Sequence, residues 1–93
     1  MKAINIYKNR RVKKGCEIFE TLVGKKIFGK SIIVEKILSN GAISPEGFWY
    51  DQNHDEFVMV LSGSARIAFC KKKAITLKAG DYLLIPKHAR HRV

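Results

Sequence analysis

Residues 48–63 read FWYDQNHDEFVMVLSG, a run that starts polar and ends aliphatic, and its parity organises the reading of the whole chain. In an extended strand alternate side chains share a face, which places Tyr50, Gln52, His54, Glu56, Val58 and Val60 together. Trp49, Asp51, Asp55, Phe57, Met59 and Leu61 fall opposite, also polar first and apolar later. The end of this strand is therefore expected to be buried on both faces. A carboxylate on an inward face needs an opposite charge, hydrogen bonds or a metal, because burying it bare costs several kcal/mol or neutralises it. Glu56 needs such a partner. His54 and Gln52 are its nearest neighbours of suitable chemistry on that face, and a third imidazole, His91, stands near the end of the sequence.

Outward from this stretch, short apolar runs alternate with turn residues, the pattern of strands in a sandwich or barrel. SIIVEKIL at 31–38 is β-branched and runs into SNGAISPEG at 39–47, a breaker cluster with Asn40-Gly41 and Pro45. On the C-terminal side follow SARIAFC, the Lys71–Lys73 tip, AITLKAG, DYLLIP and KHARHRV at hairpin-like spacing. The three lysines stand where a hairpin must turn into water, and they read as a solvated tip. Towards the N-terminus, a short strand is expected near Ile4–Tyr7, followed by a basic loop, KNRRVKKG, at 8–15. The segment EIFETLV at 17–23 reads as a strand or a single helical turn, because its period fits either.

With these residues in place the sequence resembles the cupin superfamily of small β-barrels. The first cupin motif, G-x5-H-x-H-x3/4-E-x6-G, is matched in its second half by Glu56, six intervening residues and Gly63, within about 47–63. The second, G-x5-P-x-G-x2-H-x3-N, is matched by Gly80, Pro86 and His91, within about 80–93. The resemblance implies an all-β double-stranded β-helix, or jelly-roll, barrel formed by residues 1–93 as a single domain. The segment WYDQ followed by HDEFVMVLSG looks like a subgroup of stand-alone cupins whose activity is generally unassigned. The departures are equally specific. The paired histidines of the first motif fall on Tyr50 and Gln52, or on Trp49 and Asp51, and His88 replaces a glycine of the second.

Two of the usual four metal ligands, Glu56 and His91, thus carry over from the resemblance. Gln52 offers an amide oxygen and His54 an imidazole on the same strand face, so Glu56, His91, Gln52 and His54 form the candidate metal set. Such a set with open positions suits Fe(II), Mn(II), Ni(II) or Zn(II) and Lewis-acid or oxygen chemistry. A metal-free alternative has Glu56, Gln52 and His91 hydrogen-bonding one another or a polar ligand. Tyr50 and Trp49 are candidate ligand-lining aromatics. Arg90 and Arg92 flank His91 with opposite parity and should point away from the interior if His91 points in. For Arg66, parity leaves an inward and an outward orientation open. The expected function is binding of a small molecule in the barrel, either in an enzyme or in a non-catalytic metabolite sensor.

The chain's 93 residues allow one domain, and a domain of this size buries only about 60–65% of its unfolded surface. Its 18 basic and 8 acidic residues give +10, distributed unevenly. Residues 1–30 and 64–93 each carry +7, and residues 31–63 carry −4. The basic ends lack the aromatic interleaving that stacks bases, which argues against nucleic-acid binding. Cys16 and Cys70 form no C-x-x-C pair or disulfide framework, and MKAINIYKNRR is no signal peptide. A cytoplasmic protein with free thiols and no membrane partner is expected. Cupin barrels usually continue past the second-motif histidine, whereas Val93 follows His91 by two residues. A barrel missing its last strand, with its edge covered in a homodimer by Ala3–Tyr7 of a partner, is the corresponding expectation.

Overall fold

The computed structural model describes residues 1–43 and 47–93, so Ser44, Pro45 and Glu46 of the expected breaker loop lie outside the described residues. All regular elements are strands: β1 (Glu17–Ile27), β2 (Lys30–Ser39), β3 (Glu56–Met59), β4 (Ser64–Phe69), β5 (Ile75–Lys78), β6 (Tyr82–Ile85) and β7 (His91–Arg92). Among the described residues no helix is long and apolar enough to cross a membrane. The chain divides into two compact units, Met1–Ile43 and Ser44–Val93.

In the first unit β1 and β2 form an antiparallel ribbon. Phe28 and Gly29 turn it, both at positive φ (51° and 74°), the two-residue geometry whose twist suits a tight hairpin. EIFETLV, open between strand and helical turn, is strand, because β2 lies antiparallel beside it and pairs the backbone groups on its facing edge. The pairing runs from Glu17↔Ser39 to Ile27↔Lys30, with a bulge at Leu22. The strand expected near Ile4–Tyr7 does not form. Asn5 Oδ1 accepts the Tyr7 N–H at 2.7 Å, and the Lys36 ammonium donates to the carbonyls of Ile6 (3.0 Å) and Lys8 (2.9 Å). A local side-chain turn and a lysine thus take the backbone groups that a strand would have paired.

The second unit is two small sheets around an apolar centre. β3 pairs with β6, and β4 lies between β5 and β7, all antiparallel. Ile67 of β4, Leu77 of β5 and Ile85 of β6 are its buried apolar residues, with Val58, Val60, Phe69, Leu83 and Ala89 packed against them. The inward residues alternate along each strand, which settles Arg66: it is exposed beside buried Ile67. At Gly80 the backbone adopts φ 92°, letting its N–H reach Val60 O at 2.7 Å while Asp81 N–H reaches Lys78 O at 2.8 Å. A side chain would strain this tight turn, which explains a glycine there.

The long strand expected over residues 48–63 is interrupted. Tyr50 bridges to His91 and β3 starts only at Glu56, with a bend at Asn53 and His54 between them. Parity therefore holds from Glu56 to Val60 but does not extend back to His54. Within β3 only one face is inward. Glu56 and Val58 are half-buried, whereas Phe57 and Met59 are exposed at 61% and 48%, so the expected burial of both faces is not met.

Candidate functional site

Glu56 opens β3 and His91 opens β7, so the site joins one strand from each sheet of the second unit. His91 is the buried polar residue of the described chain, 6% exposed, and Glu56 is half-buried. Its position follows from pairing on both sides. Phe69 of β4 is its register partner, and Tyr50 exchanges both backbone hydrogen bonds with it, at 2.7 and 3.1 Å. The Tyr50 ring stacks on the imidazole with centroids 5.8 Å apart, and the Phe69 ring lies at 6.2 Å. Phe48 in turn meets Tyr50 edge-on at 4.9 Å.

The hydrogen bonding of the imidazole is decided by its neighbours. Nδ1 lies 2.8 Å from the carbonyl of Ala89, which can only accept, so Nδ1 carries the proton and donates. Nε2 then points to Glu56 Oε2 at 3.3 Å. In a neutral imidazole this sets a nitrogen lone pair against a carboxylate oxygen. Such a contact is favourable only with a positive charge between or on the two groups: a proton on the pair, or a cation bound by both. The separation matches two adjacent ligands of a divalent transition metal, which stand about 3.0–3.4 Å apart when each bond is about 2.1 Å. Metal-bound imidazoles also characteristically donate their second N–H to a carbonyl, as His91 does.

The other members of the expected set stand apart. His54 is exposed, on the bend before β3, and among the described residues no three His, Cys, Asp or Glu side chains come together. It stands apart from Glu56 and His91, because the bend breaks the alternation that would have aimed it inward. Gln52 is half-buried, and its backbone carbonyl accepts the His88 N–H at 2.7 Å. Among the described residues no hydrogen bond joins its side chain to Glu56 or His91. Two protein donors fit a divalent cation that takes its remaining ligands from water or a bound molecule, a more open site than the usual three-donor catalytic one.

Trp49 is half-buried and holds the Arg92 guanidinium over its ring, 5.2 Å from the centroid, while Arg90 is exposed. His88 is exposed and pairs with Asp51 at 2.8 Å. The Asp55 carboxylate accepts the Lys87 N–H at 2.9 Å, so three contacts tie 51–55 to the loop before β7. Phe69 and the Ala89 carbonyl were not legible as parts of the site. Phe69 could have been found only from the β4–β7 register, and nothing in the sequence marks a backbone carbonyl.

A family model described as the cupin domain matches residues 36–93, which spans both sheets and both site residues. The chain is a cupin. A crystal structure from Ralstonia eutropha JMP134, provisionally described as a mannose-6-phosphate isomerase, is 41% identical, with a TM-score of 0.85. The similarity covers all of this cupin and 83% of that chain. No curated protein sequence matches it significantly. The all-strand architecture and the strand-borne Glu56 and His91 agree with the small barrel that the motifs implied.

Proposed function

We propose that this cupin binds a small polar molecule beside Glu56 and His91, through a divalent cation held by Glu56 Oε2 and His91 Nε2. The carrying observation is the approach of these two atoms to 3.3 Å with the other imidazole nitrogen committed to Ala89. The cation would supply Lewis-acid polarisation of an oxygen on the bound molecule. The chain's own residues hold and orient: Ala89 fixes the imidazole, and the partly exposed Tyr50 ring beside it offers a face for the ligand. Sugar phosphates are the first ligands to test, in view of the description of the Ralstonia relative, although a shared fold does not carry a reaction with it. Free Cys16 and Cys70 suit a reducing compartment such as the cytoplasm.

A metal-free metabolite-binding reading is favoured by one feature, the absence of a third donor among the described residues. Metal analysis of protein purified without chelators or an affinity tag, followed by Mn(II) and Zn(II) titration, separates the two. About one bound equivalent, weakened about tenfold or more by Glu56→Ala and by His91→Ala, supports the cation. No bound metal and unchanged titrations in both variants remove it. The metal-free reading then requires mannose 6-phosphate or a related anion to raise the melting temperature of the parent and not of the variants.

A further inference from the structure

A groove of about 340 Å³ opens in the second unit, with Phe69, Lys71 and Lys72 of the turn after β4 on one side and His88, Ala89 and Arg90 of the loop before β7 on the other. The Cys70 N–H donates to the Arg90 carbonyl at 3.0 Å, which ties the two sides together and sets Arg90 beside the lysine turn. Lys71 (φ 60°) and His88 (φ 64°) face each other across it as two of the three non-glycine residues at positive φ among the described residues. A lysine in that conformation costs about 1–2 kcal/mol, which glycine at the same turn would avoid. A merely solvated tip gives no reason to keep the strained lysine, whereas strain gathered on the rim of a cavity fits a binding role.

The groove carries positive charge without compensation. Its lining holds no Asp or Glu, and among the described residues no carboxylate pairs with Lys71, Lys72 or Arg90. His88 is already engaged by Asp51 at 2.8 Å, and Arg92 lies over Trp49, so Lys71, Lys72 and Arg90 are the cations left for a ligand. We infer that this groove binds a phosphate group, free or as the monoester of a small metabolite. The Arg90 guanidinium is a fork suited to two phosphate oxygens, and Lys71 and Lys72 add charge. A phosphate monoester, with up to two negative charges and three acceptor oxygens, matches such a cationic excess better than a carboxylate does. The half-buried Phe69 and Ala89 offer apolar surface for the carbon part of an ester. A volume near the lower end of small-molecule sites, roughly 300–1,000 Å³, restricts that part to a few carbons. The inference stands whether or not Glu56 and His91 hold a cation.

Amide shifts of the isotope-labelled full chain, freed of metal beforehand and titrated with glycerol 3-phosphate or inorganic phosphate at constant ionic strength, test it. The expected result is saturable shifts centred on residues 70–72 and 88–90. Lys72→Gln and Arg90→Gln should each weaken binding about tenfold. A control carrying both Lys13→Gln and Lys14→Gln, which removes charge from the basic loop of the first unit, should bind as the parent does. Tighter binding of the ester assigns the groove to a phosphorylated metabolite, and binding of the ester no tighter than that of inorganic phosphate assigns it to free phosphate. If a groove variant fails to fold, the shift map of the parent protein still decides. Shifts that do not saturate, shifts centred outside these segments, or unchanged affinity in both groove variants overturn the inference.

Discussion

The imidazole of His88 meets the carboxylate of Asp51 at 2.8 Å, and the His88 backbone is held at φ 64°, a conformation normally left to glycine. His88 replaces a glycine of the second cupin motif, so the backbone shape of the motif persists without its usual residue. A non-glycine residue in that region costs about 1–2 kcal/mol. The Asp51 pair returns little, since both side chains are more than half exposed. His88→Gly should therefore leave stability unchanged or raise it, and His88→Ala should be less stable than His88→Gly by about 1 kcal/mol. Urea denaturation of the three proteins measures this, and equal midpoints for the glycine and alanine variants would contradict it.

Replacing the Glu56 carboxylate by an amide separates folding from cation binding. In Glu56→Gln the amide NH2 can donate to Nε2 of a neutral His91, so the pair keeps a hydrogen bond without the carboxylate. The variant should keep its stability within about 1 kcal/mol while losing most of its Mn(II) or Zn(II) affinity. Calorimetric titration and thermal melts, run on the same preparation, test both halves.

Ile85 is 2% exposed and lies directly across from Glu56 in the β3–β6 register. Ile85→Ala should cost about 2–5 kcal/mol, a large share of the stability of so small a core. Ile43→Ala, at a residue 83% exposed, should change stability by less than about 0.5 kcal/mol. Comparable losses in both variants would show that the Ile67, Leu77 and Ile85 cluster is not the core.

Trp49, the one tryptophan in the sequence, lies under the Arg92 guanidinium. Arg92→Ala should shift its emission and reduce stability by about 0.5–1 kcal/mol. An emission spectrum identical to that of the parent protein would place the tryptophan in a different environment.

How much could be read beforehand depended on the range of the interactions involved. Alternation grouped Glu56, Val58 and Val60 on one face of β3, because neighbouring side chains in a strand must take opposite sides, but it did not tell that Phe57 and Met59 opposite them would be exposed. The same alternation failed between Tyr50 and Glu56. There Asp51, Gln52 and Asp55 make contacts with residues 87 and 88, and those contacts bend the chain out of strand geometry. Ile4–Tyr7 failed similarly, since Asn5 and Lys36 claim its backbone groups.

By itself the sequence determined the all-strand class and the turns at Gly80 and Lys71–Lys73, and it marked Glu56 and His91 as candidates, which the fold brings to 3.3 Å of each other. Each of these rests on side-chain alternation, on turn chemistry or on motif residues at fixed spacing. Only the tertiary structure decided that His54 stands apart, that Ala89 sets the tautomer of His91, and that Phe57, Met59, Tyr82 and Leu84 face outward. The placement of His54 and of the outward face depends on contacts between residues more than twenty positions apart, which leave no local periodicity to read, and the Ala89 contact depends on a backbone carbonyl that no side chain marks.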